Sequence, residues 1–213
     1  MRTEGLVDSL VADLKPVTGP RFWRDVGLLA LLAVVELAVY IGIGHLRPDI
    51  SAAMAEPSWW WKLASAVAVA LLATFIAVRS FSPGQDVRRG RQSLAPLIVL
   101  VIIAGWMINA MMDMMPPLME RLHWQAGLYC VGGVLGLSVI PMLAMGLLMR
   151  RGAPTDPELS ANAAGLAAAG WGTAVFVFHC PHDDVLYIEV WYTVAMLLVV
   201  GAARLILPRL TRW

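Results

Sequence analysis

The sequence predicts an all-α fold: a polytopic membrane bundle of six transmembrane helices, preceded by a short amphipathic cytoplasmic helix. Hydrophobic residues make up 59% of the 213 positions and the mean hydropathy is +0.71, more than the core of a soluble domain of this size requires. Six apolar stretches are each long enough to cross about 30 Å of hydrocarbon at about 1.5 Å per helical residue. We therefore expect a cytoplasmic segment, residues 1–22, and a transmembrane domain, residues 23–213.

The spans and their orientation follow from apolar length and from the placement of Lys and Arg. The predicted spans are 26–45, 59–78, 95–115, 125–149, 160–178 and 186–206. Of the 16 basic residues, 13 lie on the side of the termini and 3, Arg47, Lys62 and Arg121, lie on the other. Because basic residues are retained in the cytoplasm, both termini are expected there. Residues 1–20 lack the apolar stretch of a cleavable signal, so the first span must direct its own insertion.

The first element, residues 3–15, has the pattern of an amphipathic helix that begins at Thr3 and ends before Pro16. Its apolar positions are Leu6, Val7, Leu10, Val11 and Leu14, and its acids are Glu4, Asp8 and Asp13. A helix that lies on an anionic membrane surface is usually rich in Lys and Arg, whereas this one has a single lysine. The pattern leaves three interpretations: packing on the bundle, binding of a partner protein, or lying on the lipid surface.

The fifth span is predicted to pack closely against its neighbours. Ala161, Gly165 and Ala169 recur at every fourth position, and such small residues let two helix backbones approach each other. The loops between spans are short, so the chain has no room for a soluble catalytic domain between them.

All cysteines and histidines fall at the same predicted end of the spans, opposite the termini: Cys130, Cys180, His45, His123, His179 and His182. Thiolates, imidazoles and thioethers are ligands for soft or borderline metal ions such as Cu(I), Cd(II) and Zn(II). The candidate ligands are Cys130, Cys180, His179, His182, Met111 and Met115. The two cysteines allow three interpretations: a disulfide, metal or redox sensing through the thiols, or inert packing.

Two alternative functions, a transporter and a membrane thiol oxidoreductase, can be evaluated from the same sequence. In a metal or small-solute transporter, Glu36, Asn109, Asp113 and the methionines would line a path. Of the charged groups in the predicted spans, only Glu36 lies deep, while Asp113 and Glu189 lie near the outer end. A membrane thiol oxidoreductase is disfavoured because the two cysteines are far apart in sequence and form no CxxC pair.

Two segments carry a resemblance to a known family. The opening RTEGLVDSLVADLKPV and the segment GWGTAVFVFHCPHDDVLYIEVWY resemble the two ends of the NrsF type of six-span membrane anti-sigma factors, which are negative regulators of sigma F. The second segment, which includes Gly170, Trp171, His179, Cys180 and Pro181, is the more specific of the two.

The resemblance implies a protein without enzymatic activity in the bacterial inner membrane. It would hold an extracytoplasmic-function sigma factor, bind no nucleic acid directly and need no obligatory cofactor. It further implies a response to heavy metals, of the copper or cadmium type, or to oxidants, through a pair of periplasmic cysteines that match Cys130 and Cys180. An acidic amphipathic helix would suit the basic DNA-binding surfaces of a sigma factor.

Overall fold

The structure is a computed structural model, and it describes residues 11–12, 21–82, 88–110 and 117–210, with the side chains of 88–91 and 118 left out of the description. The helices within these ranges are α1 (Phe22–Gly42), α2 (Ile50–Ala53), α3 (Pro57–Ser80), α4 (Arg88–Ala110), α5 (Leu118–Leu122), α6 (Trp124–Arg151), α7 (Pro157–Phe176) and α8 (Val185–Leu210). The described part of the chain contains no strand. This confirms the all-α prediction.

The six long helices α1, α3, α4, α6, α7 and α8 coincide with the six predicted spans. Among the described residues, five stretches are long and apolar enough to cross a membrane; they lie in α1, α3, α4, α6 and α8. The Ala- and Gly-rich helix α7 is not one of the five. The membrane-spanning character is therefore borne out, and a sixth span formed by α7 stays a prediction.

Helix α7 occupies the centre of the bundle, where it packs against α3, α6 and α8. Fourteen of its 20 residues are buried. A Cβ atom added at Gly170 would lie 2.8 Å from the Cα atom of Ala70 in α3, and one added at Gly165 would lie 3.0 Å from the Cα atom of Val200 in α8. The missing side chains thus allow backbone contact on two sides, as the spacing of small residues predicts.

The start of α7 is fixed by local capping. The Asp156 side chain accepts a hydrogen bond of 2.9 Å from the backbone N–H of Leu159, and Pro157 occupies the first turn. Both features are favourable at a helix N-terminus, because the first N–H groups have no partner within the helix. These two residues therefore define where the helix begins.

One end of the bundle, which we call the cysteine end, carries the chemistry-bearing residues. It comprises the loop between α1 and α3, helix α5, the first turns of α6 and α8, and the connection 177–184 between α7 and α8. The amphipathic segment is outside the described residues, apart from Val11 and Ala12, which are helical and exposed. The partner-binding role predicted for Glu4, Leu6, Val7, Asp8, Leu10, Val11, Asp13 and Leu14 stays a prediction.

Candidate functional site: a buried thiol pair under an ionic clamp

The two cysteines of the chain meet at the cysteine end. Cys130 lies in the second turn of α6 and Cys180 lies in the connection after α7, and their sulfur atoms are 3.7 Å apart. Both side chains are buried, and Cys130 Sγ also shares a hydrogen bond of 3.1 Å with the Tyr187 hydroxyl of α8. The packing of α6 against α7 therefore brings together two thiols that are 50 residues apart in sequence.

A buried lysine holds the segment that carries Cys180. Lys62, on the first turns of α3, is fully buried. Its Nζ atom donates hydrogen bonds to the carbonyl oxygens of Cys180 at 3.1 Å and His182 at 3.0 Å, and to Asp183 Oδ1 at 3.1 Å. An ammonium group has three donors, and here each has an acceptor. The buried charge is thus fully compensated by the 180–183 segment.

Arg47 binds the same segment from the loop after α1. Its guanidinium group pairs with both carboxylate oxygens of Asp49 at 2.8 Å and with Asp183 Oδ2 at 2.7 Å. It also donates to the carbonyl oxygens of Cys180 at 3.1 Å and Pro181 at 3.3 Å. The hydrogen bond from Arg47 lowers the pKa of Asp49 to about 2, so this exposed carboxylate is charged at neutral pH.

A third basic residue completes what we call the ionic clamp, namely Arg47, Lys62 and Arg121 with Asp183 and Asp184. Arg121 of α5 donates to both carboxylate oxygens of Asp184 at 2.9 and 3.0 Å, and to Asn109 Oδ1 of α4 at 2.7 Å. Asp184 in turn accepts a hydrogen bond of 3.0 Å from the backbone N–H of Tyr187. The clamp therefore connects the cysteine-bearing segment to α3, α4, α5 and the start of α8.

The surroundings of Cys180 favour its thiolate. A hydrogen bond from the Cys130 thiol and the positive charge of Lys62 together lower the pKa of Cys180 to about 5, against burial, which acts in the opposite direction. A thiolate is the nucleophilic and metal-binding form of cysteine. The pair can therefore react as a thiolate beside a thiol at neutral pH.

The histidines surround the pair without joining it in a cluster. His179 contacts the carbonyl oxygen of His45 through Nδ1 at 3.0 Å. The His182 ring packs against the rings of Tyr187 and His123, with centroids 4.5 and 5.5 Å away. Burial lowers the pKa of His182, which favours its neutral form at neutral pH.

The predicted metal site is only partly described. The structure brings Cys130 and Cys180 together, whereas Met111 and Met115 lie outside the described residues. Within the described ranges, no three His, Cys, Asp or Glu side chains are arranged to hold a metal ion. The sulfur pair is therefore the part of the predicted site that the structure assembles.

The polar groups that a transport path would use are dispersed where the structure describes them. Glu36 is buried in α1, and neither of its carboxyl oxygens has a hydrogen-bond partner in the described part of the chain. Asn109 is engaged by Arg121 at the cysteine end. Asp113 is outside the described residues.

The clamp was not among the predictions from the sequence, where Arg47, Lys62 and Arg121 were noted only as the 3 basic residues on the minority side of the membrane. Basic residues are disfavoured on that side, so their presence suggests that they pair with acidic residues. Asp183 and Asp184, close to Cys180 in the sequence, are candidates for such pairing. That combination of signals could have indicated the clamp.

Comparison with known proteins gives a consistent result. Residues 10–213 match the family model described as "Negative regulator of sigma F", NrsF. The chain is 33% identical over 200 residues to a protein of Caulobacter vibrioides named "Anti-sigma-F factor NrsF", with 92% of each chain covered. It is 27% identical to the "Probable anti-sigma-F factor NrsF" of Azospira oryzae over the whole of both chains. No solved structure matches.

Proposed function

This chain belongs to the NrsF family of negative regulators of sigma F, and we propose that it is an inner-membrane anti-sigma factor whose thiol pair controls sigma release. In this proposal the cytoplasmic segment 1–22 holds a sigma factor of the extracytoplasmic-function class. Oxidation of Cys130 and Cys180, or capture of a soft metal ion such as Cu(I) or Cd(II) by them, weakens that hold. The protein acts as a regulator and carries out no catalysis.

The observation that carries the proposal is the 3.7 Å separation of two buried sulfur atoms, one in a helix and one in a clamped loop. A disulfide requires an S–S distance of about 2.05 Å, so the two elements must move together when it forms. Each thiol then gives up one proton and one electron, and an oxidant such as hydrogen peroxide takes up both pairs to yield two water molecules. A soft ion would instead displace the thiol protons and bind both thiolates.

Such a movement has a route to the rest of the bundle. Cys180 follows α7, and α7 packs through its small residues against α3, α6 and α8. Closely packed helices shift as rigid units, because interiors at crystal-like density have few voids to absorb a displacement. A change at the cysteine end therefore alters how α7 lies against its neighbours along their length.

The amphipathic segment is the sigma-binding element in this proposal. Leu6, Leu10 and Leu14 supply the apolar contact, and the acidic residues at its rim meet the basic surfaces with which a sigma factor binds DNA. To move the complex from 99% bound to 99% released, the trigger must favour the released state by about 5.5 kcal/mol.

The test uses the full-length protein in lipid nanodiscs with its fluorescently labelled sigma factor, and release is measured by fluorescence anisotropy. Hydrogen peroxide or Cd(II) should release sigma from the reduced wild-type protein. Cys130→Ser and Cys180→Ser should bind sigma with unchanged affinity and fail to release it. If both variants lose sigma binding, the cysteines have a structural role and the proposed trigger is wrong.

The sigma-binding segment is tested separately. Leu10→Asp places a charge on the predicted apolar face and should weaken sigma binding at least tenfold. Ser9→Asp introduces the same charge one residue earlier, outside that face, and serves as the matched control. Equal effects of the two substitutions would exclude this face as the contact surface.

A further inference from the structure

We propose that a cavity between α3, α4 and α8 is a binding site for a lipophilic cation. The cavity has a volume of about 530 Å³, within the range of pockets that hold small organic molecules. Trp61 and Val69 of α3 and Ile98 of α4 contribute to its largely apolar wall, together with Met196 of α8 and Thr173 of α7. Neither member of the thiol pair lines it, although Tyr192 in its wall interacts with Cys180.

Thr173 and Glu189 each place a buried polar atom in this wall without a hydrogen-bond partner in the described part of the chain, whereas the third such group, the Tyr192 hydroxyl, interacts with Cys180. Thr173 is fully buried, and its Oγ1 atom has no hydrogen-bond partner in the described part of the chain. The same holds for the buried Oε1 atom of Glu189. An unsatisfied buried polar group costs about 1 to 3 kcal/mol and more when it is charged. A bound cation that pairs with the Glu189 carboxyl would offset the cost at that group.

The charge of the lining selects the class of ligand. Glu189 is the one acidic residue among the described side chains that line the cavity, and none of these side chains is basic. A carboxylate or phosphate head group would meet Glu189, and the described lining of the cavity offers it no cation. A cationic head group would pair with this carboxyl, and the lining includes Trp61, an aromatic side chain of the type that attracts cations. The Tyr192 ring already has Lys62 Nζ 6.0 Å from its centroid, and Lys62 is bound to Asp183.

The cavity is open toward the surrounding lipid. Ile98, Ile102 and Val194 line the cavity and are also exposed on the outside of the bundle, so the opening between α4 and α8 faces the membrane. Glu189 is one turn from the start of α8 and Met196 is two turns further along. An amphiphilic cation would therefore place its charge toward the cysteine end and its apolar body toward the middle of the bundle.

Tetraphenylphosphonium and tetraphenylborate test the charge requirement, because they have similar size and shape but opposite charge. Binding of each radiolabelled ion to the full-length protein in nanodiscs is measured by equilibrium dialysis, with partitioning into empty nanodiscs subtracted. We expect saturable binding of the cation to one site and no saturable binding of the anion. Equal binding of the two ions, or no saturable binding of the cation, would overturn the proposal without reliance on any variant.

Matched variants then locate the site. Glu189→Gln should weaken cation binding at least tenfold, or about 1.4 kcal/mol. Glu36→Gln is its control: it alters a buried carboxyl that is not part of the cavity lining, and it should leave cation binding unchanged. Val101→Trp should fill the cavity and abolish binding. Val99→Trp, on the exposed face of the same helix, is its control. Wild-type affinity in both Glu189→Gln and Val101→Trp would place the cation elsewhere and refute the site.

Discussion

Lys62 and Cys180 are joined by a hydrogen bond of 3.1 Å from the buried ammonium group to the backbone carbonyl oxygen of the cysteine. The same ammonium group binds Asp183, so one side chain of α3 both fixes the position of the cysteine and places a positive charge beside its sulfur. Geometry and reactivity of the thiol pair therefore depend on the same residue. The pKa of Cys180 reports the electrostatic effect of Lys62, and the free energy of unfolding reports its effect on stability.

The thiolate of Cys180 should persist to unusually low pH. Its pKa is lowered to about 5, compared with about 8.5 for an ordinary cysteine, so the thiolate absorbance at 240 nm of the reduced protein should fall to half near pH 5. Lys62→Met should move this midpoint to higher pH. Because the folded-state pKa is the lower one, the associated stability is fully present above about pH 8.5 and is lost as pH falls toward 5.

The Cys180→Ser variant is the control for this measurement, since it should remove the absorbance change centred near pH 5. Cys130→Ala removes the thiol that donates to Cys180 and should also raise the midpoint, whereas Cys130→Ser keeps a donor and should shift it less. A wild-type midpoint above pH 8 would show that the clamp does not stabilise the thiolate.

Removal of Lys62 should also destabilise the fold. Lys62→Met leaves the carbonyl oxygens of Cys180 and His182 without this donor and Asp183 without one of its two cations. Breaking a buried ion pair by removal of one partner typically costs about 3 to 5 kcal/mol. We expect a loss near the lower figure, because Arg47 still binds Asp183. The free energy of unfolding is measured by denaturation with sodium dodecyl sulfate in mixed micelles.

Arg204→Met provides the comparison for that loss. Arg204 pairs with Glu158 at 3.1 Å, but both side chains are more than half exposed, at 59% and 68%. Exposed ion pairs contribute about 0 to 1 kcal/mol because water and salt screen them. Equal losses for the two variants would mean that the clamp contributes no more than a surface ion pair.

The helices and their packing could be predicted from the sequence, because each depends on a local pattern. Apolar length located α3 and α6 to within about two residues, and the spacing of Gly165 and Ala169 indicated a closely packed α7. The same composition leaves α7 outside the five stretches that are apolar enough to cross a membrane, since alanine and glycine contribute little hydropathy. Burial of α7 within the bundle compensates for that composition.

The sequence could indicate that a clamp exists, but neither the pairings within it nor the lining of the cavity could be predicted, because they depend on contacts between residues far apart in the chain. Lys62 and Asp183 are 121 positions apart, and only the packing of α3 beside the 177–184 connection brings them within 3.1 Å. The cavity similarly requires Ile98 of α4 and Glu189 of α8 to line the same space. Residue type and spacing alone contain no information about these pairings.

Mild oxidation should join the two cysteines within one chain. Because Cys130 Sγ and Cys180 Sγ are 3.7 Å apart, a small movement brings them to disulfide distance. Treatment with diamide should give a monomer in which mass spectrometry finds the peptides of α6 and of the 177–184 connection linked. Omission of diamide and the Cys130→Ser variant are the controls. Disulfide-linked dimers in place of the internal bond would contradict the geometry.

Substitution of Gly170 should destabilise the bundle more than substitution of a glycine that faces open space. A Cβ atom at Gly170 would lie 2.8 Å from both the backbone nitrogen and the Cα atom of Ala70, and backbone cannot rotate away as a side chain can. We expect Gly170→Ala to lower the unfolding free energy by about 1 to 3 kcal/mol, the usual cost of overpacking.

Gly136→Ala is the matched control, because nothing lies within 4 Å of its added Cβ atom. Alanine favours the helix over glycine by about 1 kcal/mol, so this control should be neutral or slightly more stable. Equal stability of the two variants would mean that α7 and α3 do not approach as closely as their backbones do here.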